Sequence, residues 1–440
     1  MTKPHKPKSH REAAKSGRRL SPRGEAKVAI PAAGAVISRR AADRLRGGHL
    51  WVYSSDVVSI TVPEESSAHP PALLPVADGR GILLGTALYS PASQIALRMV
   101  STEAVGQAEW LELLEVRLRR SIQLRKPMLD ADNDACRLCF SEADELPGLI
   151  IDKYGPLTIV QRLTRGLGAK GVQDVCVRVL RELLEPKTIL ERPDPRIREL
   201  EDLSPADPEP WWTADLEFPL MTSQFRLNGL LFHYDADGGQ KTGAFLDQAT
   251  NYAAVKKYAS LLAPGGRALD VFCYQGGFAL HLAQACRAVT GVDASRASLE
   301  VAERNLAANR GRVTAGVDWM EADAFELLRD WSDAGERFDA IVLDPPAFAK
   351  TKRAVEGALR GYKELNLRAL RMLRPGGLLV TCSCSHHVGW ADLQATVASS
   401  AADAPRRVRL LERRGAAPDH PVLLNLPETE YLKCMVLQAE

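Results

Sequence analysis

A chain of 440 residues, 45% hydrophobic and 25% charged, has the composition of an ordinary globular protein and is too long for one core, so two or three domains are expected. No apolar run approaches the roughly 20 residues that cross a bilayer, and no apolar segment follows the basic N-terminus as in a secretory signal, so a membrane role is excluded and the expected location is cytoplasmic. The net charge of +2 conceals a local excess, because residues 1–27 carry nine Lys or Arg against two Glu.

That N-terminal stretch is too poor in apolar residues to fold alone, which predicts a basic disordered leader over residues 1–34. It serves either as a phosphate-binding tail or as a solubilising one. Residues 35–101 are rich in short β-type runs and Gly turns and predict a small all-β domain. Its opening, from Arg39 to Tyr53, mixes Arg with Trp51 and Tyr53. Such a mixture suits a surface that tracks phosphates and stacks bases on Trp51; a basic amphipathic helix with Trp51 in the core reads equally well.

Residues 102–215 predict a central α+β unit. Trp110, Leu113, Leu114, Leu118 and Ile122 fall at helical spacing ahead of Pro127. Strands follow at 137–140, 148–153 and 157–163, then a helix at 172–184 and a strand at 188–191. The acidic, Pro-rich residues 201–210 predict an exposed linker. Eight cysteines scattered through apolar segments predict free thiols. Cys136 and Cys139 form a CxxC without a second pair, so half-buried strand thiols are expected there and no metal site.

Residues 216–440 form the last predicted domain, and from about Ala249 strands and helices alternate. Candidate strands are 267–272, 288–293, 317–321, 338–344 and 377–383, with helices at 296–309 and 359–373. Parallel strands need such crossovers, which predicts an open doubly wound α/β sheet binding ligands at the carboxyl ends of its strands.

The first of these strands runs from Leu269 through Asp270 into a turn containing Phe272, Tyr274, Gly276 and Gly277. The glycines would let a ligand approach the backbone closely. The second strand ends in Asp293, placed to accept two hydrogen bonds from a ribose diol. A dinucleotide site would also want GxGxxG for its pyrophosphate, which is absent, so S-adenosylmethionine fits better. Asp323 after the third strand is placed to meet the adenine amino group. Arg374-Pro-Gly-Gly377 predicts a helix stop and tight turn before the fifth strand.

The fourth strand ends in Asp344-Pro-Pro-Ala-Phe348. Pro345 and Pro346 stiffen the backbone and remove two donors, so Asp344 and the carbonyls face an incoming flat base on which Phe348 stacks. The fifth ends in Thr381-Cys-Ser-Cys-Ser-His-His387. A thiolate there could add to carbon 6 of a cytosine and make carbon 5 nucleophilic. Cys382 and Cys384 would share a strand face, and the pattern does not choose between them. Two small core residues are the alternative. His386 would lower a thiol pKa or carry protons, or simply sit at the surface.

Several stretches together resemble one family, the RlmI-type 23S rRNA cytosine-5 methyltransferases. They are Trp51-Val-Tyr53, Tyr89-Ser-Pro-Ala-Ser-Gln94, Glu145-Leu-Pro-Gly-Leu149, Gln240-Lys-Thr-Gly-Ala-Phe-Leu-Asp-Gln248, the Asp270 to Phe278 turn, Asp344-Pro-Pro-Ala-Phe348, Gly361-Tyr-Lys-Glu-Leu-Asn366, Ser383-Cys-Ser385 and Asp419-His-Pro421. The resemblance covers about residues 35–435. It implies a PUA-type RNA-binding β-barrel, the central α+β domain and a Rossmann-like seven-stranded catalytic domain. It implies S-adenosylmethionine as cofactor, bound by Phe272, Tyr274, Gly276, Gly277, Asp293, Asp323, Asp344 and Gln248. It also implies Cys384 as the nucleophile with Asp344 as its catalytic partner, and 23S rRNA or its precursor as substrate, with a homodimer allowed. Lys241, Thr242, Phe245, Asp247 and Gln248 would flank the cofactor and the active-site mouth, Lys241 on the RNA side. The chain departs from the pattern at Ala249, where relatives carry Arg. Two other readings stand beside this one. A base nitrogen of guanine or adenine could be methylated without any cysteine, or the chain could be a non-catalytic RNA-binding assembly factor.

Overall fold

The computed structural model describes residues 33–62, 72–203, 209–236, 245–349 and 351–440. The basic stretch of residues 1–27, Lys241, Thr242 and part of the expected linker lie outside these. Among the described residues no helix is long and apolar enough to cross a membrane.

The N-terminal sheet has six strands in the spatial order Trp51–Tyr53, Ile95–Ser101, Leu83–Tyr89, Leu73–Asp78, Gly34–Ile37 and Val57–Thr61. All neighbours are antiparallel except Gly34–Ile37 against Leu73–Asp78. Ile37, Val52, Val76, Ala87 and Leu97 build a small core with Ala41 and Ala42 of the helix Arg39–Arg46. Ser38 starts that helix by accepting a hydrogen bond from the Ala41 backbone N–H at 3.2 Å. Trp51 is not in the core of a basic helix. It lies on a strand, half-buried, and its Nε1 donates to Glu142 Oε1 at 2.8 Å. The Arg98 guanidinium sits 5.5 Å from its ring centre and 2.6 Å from Glu142. The indole therefore fastens the first sheet to the central unit, and its edge and one face are engaged by protein groups.

In the central unit five strands are ordered Trp212–Thr213, Thr188–Glu191, Leu157–Arg162, Leu149–Tyr154 and Ala135–Phe140. The helices Gln107–Arg125 and Val172–Leu184 bury Trp110, Leu114, Leu118, Ile122, Val175 and Val179 against Leu138, Ile151, Val160 and Ile189. Each fully buried aliphatic side chain of this kind contributes roughly 1.5–3 kcal/mol. Cys136 and Cys139 are free thiols, buried more fully than expected. Alternate positions on the same strands, Tyr154, Leu157 and Ile159, face a different core. A hairpin of Thr222–Leu227 and Leu230–Asp235 meets them there, with Tyr234 stacked on Tyr154 at 4.3 Å. Through Phe225, Leu227, Leu230 and Phe232 that core continues without a break into the C-terminal sheet.

The C-terminal sheet has seven strands: β1 Arg267–Val271, β2 Ala288–Asp293, β3 Gly316–Glu321, β4 Phe338–Leu343, β5 Leu373–Ser383, β6 Val408–Arg414 and β7 Lys433–Ala439. Their order is β3-β2-β1-β4-β5-β7-β6, and only β7 runs antiparallel to its neighbours. The order reverses between β1 and β4, the switch point where open α/β sheets bind ligands. Tyr252 and Val255 of the helix Ala249–Leu262 and Phe278 of the helix Gly277–Leu282 cover one face. Leu328, Leu365 and Leu393 of the helices Ala324–Ala334, Val355–Met372 and Trp390–Asp403 cover the other. Arg374–Gly377 is not a turn before β5 but an interruption within it. Phe338 pairs with Leu373 and Ala340 with Leu378, so the extra residues loop out, and Gly376 takes φ +81° there.

Candidate active site

The turn after β1 is held in an unusual shape. Phe272 and Tyr274 have φ of +65° and +50°, a conformation that costs a non-glycine residue about 1–3 kcal/mol. Backbone hydrogen bonds offset that strain: Cys273 N donates to Val292 O at 2.9 Å and Tyr274 N to Asp293 Oδ2 at 2.9 Å. Phe245 meets the Tyr274 ring edge-on at 4.9 Å. Packing gives the two glycines a reason of their own. A Cβ at Gly276 would lie 2.7 Å from Trp319 Cη2, and one at Gly277 would lie 2.4 Å from Tyr252 Cζ. A side chain at either position would collide with these rings.

Asp270 lies beneath the turn, fully buried. Its Oδ2 accepts from Ala279 N at 2.8 Å while Oδ1 has no partner. Burial, reinforced by the nearby Asp344, pushes its carboxyl well above the usual range. Asp293 at the end of β2 is half-buried. Its second oxygen accepts from Ser295 N at 2.9 Å, so the carboxylate orders the turn. Asp323 is exposed and caps the next helix, with Oδ1 accepting from Phe325 N and Glu326 N at 2.9 and 3.0 Å.

At the end of β4, Asp344 Oδ2 accepts from Gln248 Nε2 at 2.9 Å. Gln248 is buried and held in turn by Asn251 Nδ2 at 2.6 Å, and Asn251 Oδ1 accepts from Arg414 Nε at 2.8 Å. The backbone thus brings together residues almost a hundred positions apart. Pro345 is buried and Pro346 exposed. Phe348 is half-buried, its ring 4.9 Å from Tyr362 and 5.9 Å from Phe325, so part of its surface is already spent on packing.

The two thiols of β5 differ sharply. Cys382 is fully buried and sits opposite Cys434 on β7; hydrogen bonding between the two thiols and burial raise its pKa far above the ordinary value. Cys384 lies just past the strand and is the one half-exposed cysteine among the eight. Its Sγ is 3.8 Å from the Pro345 carbonyl. A chain of hydroxyls holds this corner: Ser383 Oγ donates to Tyr362 Oη at 2.9 Å, and Tyr362 Oη lies 3.1 Å from Ser385 Oγ. His386 is set beside Tyr431, ring centres 5.8 Å apart, and burial lowers its pKa. Tyr431 Oη donates to Asp247 Oδ2 at 2.5 Å.

The acids at the strand ends, with no Lys or Arg in the turn from Asp270 to Phe278, suit a cationic nucleoside and would repel a pyrophosphate. Asp293, Asp323 and Asp344 are that set. The sequence reading missed Asn251, Arg414 and Lys433. The last had a visible signal, a single Lys opening the apolar run Lys433-Cys-Met-Val-Leu437.

Comparison with known proteins agrees with this chemistry. Residues 36–102 match the PUA-like domain family, and residues 205–433 match the S-adenosylmethionine-dependent methyltransferase family. A SAM-dependent methyltransferase structure from Streptococcus mutans, so described, aligns over 92% of this chain and 99% of that one, with a TM-score of 0.74 and 18% identity. Fold and site therefore define an S-adenosylmethionine-dependent methyltransferase with an N-terminal PUA-like domain. Relatives named ribosomal RNA large subunit methyltransferase I share 35% identity over 387 residues in Erwinia tasmaniensis and 36% over 391 in Photobacterium profundum. These cover 88% of this chain and 94% and 95% of the relatives. The chain belongs to the ribosomal RNA large subunit methyltransferase I family.

One prediction follows for the cofactor. Asp293→Ala is expected to weaken S-adenosylmethionine binding by about 1.5–3 kcal/mol, the cost of losing hydrogen bonds to a charged group. Calorimetry finding wild-type affinity in the folded variant would leave Asp293 with its backbone-ordering role alone.

Proposed function

We propose that the protein methylates carbon 5 of a cytosine in 23S rRNA, in the cytoplasm, through a transient covalent bond between Cys384 and the base. The observation that carries this reading is that seven of the eight cysteines are buried while Cys384 stands half-exposed beside the Asp-Pro-Pro corner. Carbon 5 of cytosine is a poor nucleophile. Addition of the Cys384 thiolate to carbon 6 forms an S–C bond and moves electron density onto carbon 5. When bound, S-adenosylmethionine supplies an electrophilic sulfonium methyl. Carbon 5 would take that methyl, the S–CH3 electron pair staying on sulfur as a neutral thioether, and removal of the carbon 5 proton by a base would then re-form the carbon 5–carbon 6 double bond and expel the thiolate.

In this reading Asp344, held by Gln248, accepts from the exocyclic amine and orients the ring, with Pro345, Pro346 and Phe348 lining its approach. Phe272, Tyr274, Asp293 and Asp323 hold the nucleoside of the cofactor. The PUA-like domain and the basic leader grip phosphates away from the reacting base. The name of the relatives supports ribosomal RNA as the substrate. Incubating large-subunit rRNA with the enzyme and S-adenosylmethionine, then digesting to nucleosides for mass spectrometry, should yield 5-methylcytidine. N-methylated guanosine or adenosine would move the reaction to a base nitrogen. No methylated nucleoside from protein that binds the cofactor would leave an RNA-binding assembly factor.

A further inference from the structure

We infer that Lys433 is the positioning residue that holds Cys384 as its reactive anion, an inference that rests on the proposed role of that thiol. The register of the sheet sets Lys433 of β7 opposite Ser383 of β5. Its Nζ donates to the Ser385 carbonyl at 2.9 Å. A side chain that starts level with residue 383 and ends on the carbonyl of residue 385 runs alongside residue 384. Lys433 is only 3% exposed, and among the described residues its ammonium forms no salt bridge. Burying an ammonium without a counter-ion is costly, and folds retain such a group where its charge does something. The charges of Glu430, Cys384 and Asp392 act on it, and it in turn acts on His386. Glu430 is already engaged as acceptor for Trp390 Nε1 at 2.9 Å.

Burial lowers the Lys433 pKa, and the charges of Glu430, Cys384 and Asp392 push it back up. The reciprocal effect falls on the thiol. A protonated amine beside a thiol favours the thiolate and lowers its titration midpoint below the free value of about 8.5, for as long as the amine keeps its proton. Burial lowers the His386 pKa. Lys433 thus places its amine, charged while it keeps its proton, on the strand next to the one that ends at the nucleophile. In the covalent adduct the sulfur no longer carries a charge, so the same ammonium favours departure of the thiolate when the product is released.

The test uses full-length protein without RNA. Alkylation of Cys384 by iodoacetamide is followed from about pH 5 to about pH 10 and read on the Cys384 peptide by mass spectrometry. Wild type should titrate about one unit or more below 8.5. Lys433→Met should raise the midpoint by about one unit and slow alkylation near neutral pH about tenfold. Lys433→Arg, which keeps the charge, should restore most of the difference. An unchanged midpoint in a Lys433→Met protein that still binds S-adenosylmethionine would overturn the inference. If that variant fails to fold, the wild-type curve decides, because a midpoint at or above 8.5 overturns it equally. A lowered midpoint together with full methylation by Cys384→Ala would keep the Lys433 pairing and sink the cytosine-5 reading instead.

Discussion

Cys384→Ala is expected to abolish turnover, with a loss on the order of 10⁴-fold or more, and to abolish covalent capture of RNA carrying 5-fluorocytosine at the target. With fluorine at carbon 5 the thiolate can add and the methyl can be accepted, but no proton is there to leave, so enzyme and RNA stay joined. Alanine removes the attacking atom and with it the trap. Cys382→Ala is the matched control, because that thiol is fully buried opposite Cys434. Its loss should cost about 1 kcal/mol of packing and little activity. Denaturing gel electrophoresis of labelled RNA reads both variants directly. An adduct that survives in Cys384→Ala and vanishes in Cys382→Ala would transfer the role to the buried thiol. Full methylation by the double variant would end the covalent mechanism altogether.

A second large effect is expected far from the reacting base. Arg125, 2% exposed, reaches Asp144 with two bonds of 2.7 and 2.8 Å and the Asp419 carbonyl at 3.2 Å. Arg125→Met strands the buried Asp144 carboxylate and should lower stability by about 3–5 kcal/mol. Urea denaturation at neutral pH measures it. Replacing both partners, Arg125→Met with Asp144→Leu, should recover much of the loss, because the uncompensated charge is then gone. A single-variant loss under about 1 kcal/mol would put this pair with surface ion pairs, against the geometry. Arg125 also ties down the Asp419 carbonyl, and both variants lose that contact, so any activity that depends on it should fall equally in the two once folded.

Strong local patterns were readable ahead of the structure. The strands 188–191 and 288–293 and the helix 172–184 carry runs whose period and flanking residues agree, and they fall where expected. The hairpin Thr222–Asp235 was missed because half of its partners are distant in sequence, on the central sheet and on the helix Arg296–Ala308, where Asn305 accepts from His233 N at 2.8 Å. Strands β6 and β7 were not located either. Val408–Arg414 is an edge strand with charged side chains, and Lys433–Ala439 is an apolar run whose period cannot tell a strand from a buried helix.

The site followed the same division. Asp344 and Cys384 were visible because their residue types at strand ends suggest chemistry on their own. The choice of Cys384 over Cys382 was not a local matter, since both alternate onto one face in an extended strand. Only the end of β5 at Ser383 lets the second thiol leave the core. Gly276 and Gly277 were assigned correctly to the turn, but the close approach of Trp319 from β3 and of Tyr252 from the helix Ala249–Leu262 was not legible. No spacing rule within the turn contains that contact.

The shared core bounded by the hairpin bears on how this enzyme could be taken apart. Tyr154 and Leu157 of the central sheet, Phe225 and Phe232 of the hairpin, and Val255 and Phe278 beside the catalytic sheet belong to one continuous apolar mass. Cutting the chain before residue 216 would lay that mass open to water and invite aggregation. A minimal catalytic fragment would therefore have to keep the central sheet as its permanent lining, and a chimera that exchanges RNA-reading modules should be joined upstream of residue 107, where the helix Gln107–Arg125 begins. Even there the Trp51–Glu142 and Arg98–Glu142 contacts would have to be rebuilt in the donor.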